Sequence, residues 1–174
     1  MRLDNVATLH RGFDLPARLR QEGDTPVVTS SGVTSTHNRA AVAGPGVVTG
    51  RYGTIGQTFY LQQDYWPHNT TLFVSDFHGN DPRFVYYLLK TIDFASHSGK
   101  SGVPGVNRND LHDLIVALPT ATAEQMRISK ALSSADDTIA ALERLAGKMQ
   151  DVKEGMMQQL VDSSGRCNDG LFRV

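Results

Sequence analysis

The sequence lacks several features that would define its class at once. Its 174 residues contain one cysteine, Cys167, so no disulfide can form within the chain. No run of about 18 apolar residues is present, and a membrane-spanning helix needs at least that length. Residues 1–16 also lack the long apolar core of a secretory signal. Together these absences predict a cytoplasmic protein without a membrane anchor.

Motifs for catalysis and cofactor binding are missing as well. The six histidines show no metal-type spacing, and there is no G-x-S-x-G nucleophile elbow. The glycine-rich run GRYGTIG, residues 50–56, has glycines three apart, strand-like flanks and no following lysine, so it matches neither a P-loop nor a dinucleotide fingerprint. We therefore expect a bent pair of strands here, and a chain with no catalytic site, metal or cofactor of its own.

Carboxylates are absent from two long polar windows. No Asp or Glu occurs from Thr25 to Gln63 or from Phe94 to Asn109, although the net charge of the whole chain is −1. Ser, Thr, Asn, His, Lys and Arg are the side chains that contact phosphates and base edges, but ordinary solvated loops share this composition. The candidate nucleic-acid contacts in these windows are Ser31, Thr34, Ser35, His37, Asn38, Arg39, Arg51, Tyr52, Lys100, Ser101, Asn107 and Arg108.

The pattern changes at Pro119. Before it, short β-branched and aromatic runs predict strands at 25–30, 46–50, 54–61, 70–75 and 114–118, a loop at 30–38, and a helix capped by Asp81. After it, a long stretch without proline predicts one helix, with a capping box formed by Thr122 and Gln125. The sequence thus predicts an α+β protein. Its parts are a β-rich domain at 1–121 with one or two packed helices, a long coiled-coil helix at 122–161 and an irregular tail at 162–174.

The predicted helix carries an apolar seam at heptad spacing. At 1.5 Å per residue it is roughly 50–55 Å long, which exceeds the reach of a small domain's core. The far part must therefore pack on a second copy or on another subunit. Lys153 interrupts the seam, and Gly147 and Gly155 each disfavour the helix by about 1 kcal/mol. The seam consists of Leu132, Ala135, Ile139, Leu142, Leu145, Met149, Val152, Met156 and Leu160.

Eight segments between about residues 3 and 161 fall in the order seen in the specificity subunits of type I restriction–modification enzymes. The most specific are GRYGTIG and the run ALPTATAEQMRISKAL that leads into the helix. The resemblance implies a DNA-reading protein without catalysis, normally built from two target recognition domains joined by long antiparallel helices. It also implies partners: methyltransferase subunits that carry S-adenosylmethionine, and restriction subunits that use ATP and Mg²⁺.

This chain resembles half of such a subunit, because it has one recognition domain and one helix. We expect two copies to pair through the helix as a two-fold homodimer, which would read an interrupted palindrome and dock methyltransferase subunits. Restriction subunits are a further candidate partner, and a fragment of a longer protein is an alternative origin. The main rival function is a decoy that occupies methyltransferase subunits without contacting DNA.

Overall fold

The computed structural model describes residues 1–98 and 105–168, with side chains described through residue 161. The chain divides into two compact units, Met1–Lys130 and Ala131–Val174. The first unit is rich in strands, and the described part of the second is helical. The α+β class predicted from the sequence is confirmed. The predicted contacts Lys100 and Ser101 lie outside the described residues.

Within the described part of the chain, the strands of the first unit form two sheets. The larger sheet has the order β1-β7-β4-β5 and is antiparallel throughout. The smaller has the order β3-β2-β6, in which β2 and β3 form a hairpin and β6 runs parallel to β2. The strands are β1 (Thr8–Arg11), β2 (Thr25–Thr29), β3 (Gly32–His37), β4 (Gly46–Gly50), β5 (Thr58–Leu61), β6 (Trp66–Pro67) and β7 (Thr71–Asp76).

Three α-helices accompany these strands in the described residues: α1 (Pro82–Lys90), α2 (Arg108–His112) and α3 (Thr122–Asn168). The Asp81 carboxylate caps α1 by accepting a 2.8 Å hydrogen bond from the Phe84 N–H, as the sequence predicted. Each large aliphatic side chain buried in the main core stabilises the fold by about 1.5–3 kcal/mol. That core consists of Leu3, Val6, Ala7, Leu9, Val47, Leu72, Val74, Val85, Leu89, Phe94, Val106 and Leu111.

The structure differs from the sequence prediction in three local places. Residues 32–37 form the edge strand β3 rather than a loop, because β2 supplies its hydrogen-bond partners while its polar side chains face solvent. Strand β5 begins at Thr58 rather than at residue 54. The run 114–118 forms only an isolated bridge between Ile115 and Arg2. Polar edge strands and short apolar runs are ambiguous without their partners.

The first turns of α3 are fixed to the N-terminus of α1 by a buried polar network. Gln125 is completely buried, and its Oε1 accepts from the Asp81 N–H at 3.0 Å. Its amide nitrogen donates to Asn80 Oδ1 at 2.7 Å and to the Pro119 carbonyl at 2.8 Å. Ser129 adds a 2.9 Å bond to the Asp81 carboxylate. Gln125 therefore joins two helices instead of closing the predicted capping box.

Helix α3 begins at the predicted residue, Thr122, and continues to Asn168, past the predicted end at 161. At 1.5 Å per residue its 47 residues measure about 70 Å. The large seam residues are exposed by between 41% at Leu132 and 68% at Leu160, and Ala135 is exposed as well. Gly147 and Gly155 have no atom within 4 Å of a built Cβ, so neither marks a close approach within the described chain.

Replacement of Gln125 by Ala should destabilise the first unit by about 2–4 kcal/mol. The change leaves the Asp81 N–H and the Pro119 carbonyl without partners in a buried position, and each unsatisfied group costs about 1–3 kcal/mol. Denaturant unfolding followed by circular dichroism measures the loss. Gln150→Ala is the matched control, since Gln150 lies exposed on the same helix. Equal stability of the two variants would contradict a structural role for the network.

Candidate nucleic-acid interface

Three arginines and an asparagine surround a pocket of about 330 Å³ at one end of the larger sheet; Arg11, Arg51, Leu72, Asn107 and Arg108 line it. Arg11 ends β1 and Arg51 directly follows β4, while β7 runs between these strands in the opposite direction. The strand order therefore brings the two arginines to the same end of the sheet. The sequence predicted Arg51, Asn107 and Arg108 as contacts, and the structure gathers all three around one pocket.

Arg51 is held firmly by its surroundings. Its backbone N–H donates to the Thr70 carbonyl at 2.9 Å, and its carbonyl accepts from the Val106 N–H at 3.1 Å. The side-chain Nε donates to the Val106 carbonyl at 3.3 Å, and the guanidinium carbon lies 4.5 Å from the centre of the Tyr52 ring. These contacts leave the two Nη groups as the part of the guanidinium that a ligand can use.

The glycine-rich run, residues 50–56, forms the tight connection between β4 and β5 that carries Arg51. Gly53 and Gly56 have φ values of +72° and +79°, a region that favours glycine. Tyr52 forms an antiparallel bridge with Gly105, and a Cβ on Gly105 would lie only 2.1 Å from the tyrosine ring. Glycine at 105 therefore lets the Tyr52 ring lie flat under Arg51. The run is a bend that presents Arg51.

Arg11 is the pocket residue that sequence reasoning missed. It lies outside both acid-free windows and only three residues before Asp14, so a search for carboxylate-poor stretches passes over it. In the structure Arg11 and Asp14 are 3.8 Å apart and more than half exposed, and such a pair contributes between 0 and about 1 kcal/mol. Asp14 also accepts a hydrogen bond from the Asn69 amide. Arg11 reaches the pocket because it pairs with Leu72 across the sheet, and a local stretch of sequence does not reveal that pairing.

The predicted contacts on the β2–β3 hairpin lie along an exposed edge strand. Ser31 in the turn, Thr34 within β3 and Arg39 beyond its end are exposed. Ser35 is half-buried and accepts a 2.8 Å hydrogen bond from Arg20 Nη1, which ties the strand to the preceding loop. The hairpin turn adjoins the glycine-rich run, because a Cβ on Gly53 would lie 3.3 Å from the Ser30 hydroxyl. The turn end of the hairpin and Arg51 thus belong to one surface.

His37, one of the predicted contacts, is buried within the fold. Its side chain is 5% exposed, its Nδ1 accepts from the Gln21 N–H at 3.1 Å, and its ring packs edge-on against Trp66 at 5.4 Å. A side chain committed to these contacts cannot reach a base without leaving its place in the fold. We therefore assign His37 to packing and omit it from the proposed DNA contacts.

Asn38 borders a second pocket with the opposite charge. The pocket measures about 660 Å³ and is lined by Asp24 and Asp64 together with uncharged residues. Asn38 itself is exposed and donates a 2.7 Å hydrogen bond to Gln21 Oε1. Two carboxylates repel a phosphate, whereas the described residues that line the arginine pocket include no carboxylate. Charge therefore favours the smaller pocket as the place for an anion.

Helix α2, which carries Arg108, is fastened to the strand that carries Arg11. The Leu9 N–H on the free edge of β1 donates a 2.9 Å hydrogen bond to His112 Nε2, the last residue of α2. This bond requires an unprotonated Nε2, since a protonated nitrogen cannot accept. Burial lowers the pKa of His112 below its ordinary value of 6.5; the charges of Arg108, His10 and Arg2 act in the same direction, and that of Asp4 opposes them.

No helix in the described part of the chain is long and apolar enough to cross a membrane. Residues 1–98 and 105–161 also contain no group of three or more His, Cys, Asp or Glu side chains that could hold a metal ion.

Comparison with known proteins identifies relatives at the level of domain and fold. The family model for the type I restriction modification DNA specificity domain matches residues 1–149. The comparison with curated proteins finds none that matches the chain.

Several solved structures share the fold. The S subunit of a type I restriction–modification system from M. genitalium aligns with a TM-score of 0.68 and 18% identity, covering 83% of this chain and 40% of that one. A structure described as the basis of complex assembly and conformational transition of the type I R-M system aligns with a TM-score of 0.74 and 19% identity. That alignment covers 93% of this chain and 44% of that one. The HsdS subunit from Thermoanaerobacter tengcongensis aligns with a TM-score of 0.59 and 18% identity, covering 83% of this chain and 38% of that one.

These structural matches establish the fold of the chain. The chain spans roughly two fifths of the length of each of these structures.

The bond between Leu9 and His112 makes stability depend on pH. Because burial lowers the pKa of folded His112, the unfolded chain binds more protons, and this stabilisation is complete above about pH 6.5 and is lost as the pH falls through the folded pKa. We expect His112→Gln, which keeps a non-titrating acceptor, to lose less stability than the wild type between pH 7.5 and 5. Denaturant midpoints at each pH measure this difference.

The matched control for that measurement is His97→Gln, because His97 lies outside both α2 and β1. It removes one imidazole without touching the bond between Leu9 and His112, so a difference between the two variants reports on that bond. An unchanged pH dependence in His112→Gln would show that the bond to Leu9 does not depend on an unprotonated imidazole.

Proposed function

The chain belongs to the type I restriction modification DNA specificity domain family, and from this premise we propose that it reads one half of a split DNA site as a homodimer paired through α3. In this proposal the first unit supplies the DNA contacts. Methyltransferase subunits, which carry S-adenosylmethionine, dock on the dimer and modify the DNA. Restriction subunits with ATP and Mg²⁺ are a further partner of the assembly. The chain itself contributes recognition and no catalysis.

One observation carries the pairing: the apolar seam of α3 is exposed along its length. Ile139, Leu142 and Met149 are 54%, 59% and 65% exposed, and their spacing is that of a coiled-coil interface. Burying apolar surface stabilises an association by about 25 cal/mol per Å², so a continuous seam of this kind favours a partner helix with the same period. A second copy supplies such a helix with the same seam residues.

The symmetry of such a pair determines the form of the DNA site. Two identical chains related by a two-fold axis present the same reading surface twice, in opposite orientation. Each surface contacts one half-site, so the preferred sequence is an interrupted palindrome whose spacer is set by the paired helices.

Base reading in this proposal falls to the exposed polar side chains of the first unit. Ser31 and Thr34 on the hairpin, Arg39 just beyond β3 and Tyr52 beside Arg51 are accessible or partly accessible. Serine, threonine and arginine are side chains that hydrogen-bond to base edges in the major groove. Asn38 and Ser35 are engaged by Gln21 and Arg20 and have less freedom to read bases. Lys100 and Ser101 remain candidates on sequence grounds.

The rival function is a decoy that pairs and occupies methyltransferase subunits without touching DNA. It needs the same seam but no basic, carboxylate-free pocket. The pocket lined by Arg11, Arg51 and Arg108 therefore favours the DNA-reading function.

Pairing through the seam should give twice the mass of the 19.0 kDa chain in sedimentation equilibrium. Leu142→Glu should convert the dimer to a monomer, because it places a carboxylate in the middle of a buried interface. Ala141→Glu is the matched control, since it adds the same carboxylate one residue away, outside the seam. A wild-type chain that stays monomeric at high concentration would rule out self-pairing and indicate a different partner for α3.

Reconstitution with a type I methyltransferase subunit should produce methylated adenines in a symmetric, interrupted sequence, read out by methylation-sensitive sequencing of the DNA. Arg39→Ala should relax or change the preferred half-site on both sides at once, because each copy carries the same residue. Arg18→Ala removes a positive charge from an exposed turn of the same unit and should leave the sequence unchanged. A complex that forms but methylates no DNA would support the decoy instead.

A further inference from the structure

We propose that the pocket formed by Arg11, Arg51 and Arg108 is a phosphate clamp that holds one phosphodiester of the DNA backbone. The proposal rests on the DNA-reading function and adds a division of labour to it. The clamp fixes the position of the first unit on the duplex, whereas the hairpin residues read the bases. Arg11, which no sequence pattern singled out, is a full member of the clamp.

Charge is the first argument for a phosphate. Three arginines line a pocket of about 330 Å³, and no carboxylate is among its described lining residues. Like charges that converge on one cavity repel each other, and an anion placed between them converts this repulsion into attraction. The exposed pair of Arg11 with Asp14, at 3.8 Å, is too weak to neutralise the site.

Preorganisation is the second argument. The Arg51 guanidinium is held at its Nε by the Val106 carbonyl and on its face by the Tyr52 ring, so its Nη side is available to a ligand. Arg11 lies on a strand paired with β7, and Arg108 lies on a helix fastened to that strand by the Leu9–His112 bond. Binding a ligand here therefore costs little conformational entropy, because the backbone that carries the three arginines is already ordered.

The chemistry of the lining favours a backbone phosphate over a base. A base edge offers a mixture of donors and acceptors, and flat pockets for bases usually include stacking aromatic rings. Three arginines in this lining offer only hydrogen-bond donors. The other residues that line the pocket are Asn107 and the aliphatic Leu72. A phosphodiester presents only acceptor oxygens, which the planar forks of arginine fit in bidentate geometry.

The test measures how salt weakens the binding of the full chain to a mixed-sequence DNA duplex, alone and in complex with a methyltransferase subunit. Each neutralised phosphate contributes about 0.9 to the slope of log K against log salt. For each chain that contacts the duplex, Arg11→Gln should reduce the steepness of that slope by about 1 and weaken binding about tenfold near 0.1 M salt. Arg11→Lys keeps the charge and should keep the slope. Arg18→Gln, outside the pocket, should behave like the wild type.

A second arm identifies the ligand. The second duplex carries a neutral methylphosphonate at one backbone position. The wild type should bind this duplex more weakly than the unmodified one, whereas Arg11→Gln should bind both duplexes equally well. Inorganic phosphate at constant ionic strength should compete only at millimolar concentrations, because it lacks the remaining DNA contacts. Tight binding of inorganic phosphate with an unchanged DNA slope would identify a free-anion site and overturn the clamp.

The outcomes separate this inference from the proposed function. The methylated sequence should be the same for Arg11→Gln as for the wild type, since phosphate contacts position a protein and carry no sequence information. DNA binding with an identical salt slope in wild type and Arg11→Gln would overturn the clamp alone. Absence of DNA binding by the wild-type chain and by its complex would overturn the proposed function, and the clamp with it.

Discussion

The proposed assembly depends on the exposed apolar face of α3. Apolar side chains recur at every third or fourth position from Leu132 to Leu160, and in the described part of the chain they remain exposed. The seam residues of α3 are exposed by 41–68%, which is far from the burial of the core residues in the first unit. An exposed apolar face of this length favours association, and a partner helix with the same heptad period fits its geometry. The proposed homodimer, split DNA site and fixed spacer are all argued from that exposed face.

The beginning of α3 shows how the fold attaches this helix to the recognition unit. A completely buried glutamine is unusual, because an amide in an apolar core is favourable only when its donors and acceptors are satisfied. Gln125 meets the condition with bonds to Asn80, Asp81 and Pro119. A polar network of this kind tolerates few alternative arrangements, so it specifies one geometry for the first turns of α3 against α1. A nonpolar contact of the same size would allow the helix to slide.

The sequence predicted those features that depend on local pattern. Periodicity located α3 and its first residue, capping chemistry located α1, and alternation of β-branched residues located β2, β4 and β7. It failed where the outcome depends on partners distant in the chain. Strand β3 is polar enough to resemble a loop until β2 pairs with it. His37 has a side chain typical of DNA contacts, yet Gln21 and Trp66 occupy it. Arg11 meets Arg51 only because β7 lies between their strands, and no window along the chain contains that information.

A net charge of −1 is compatible with DNA reading because affinity depends on where charge lies and on how many sites act together. One phosphate clamp on one unit gives a contribution that salt weakens readily. Two clamps joined by paired helices behave differently, since binding of the first unit raises the effective concentration of the second near its half-site. The gain vanishes if the half-sites are spaced wrongly, so pairing converts a weak, sequence-independent contact into a measure of spacing. In the proposed assembly, modest basicity per chain is an advantage, because a single unit would hold DNA weakly and only a correctly spaced pair of half-sites would retain the dimer.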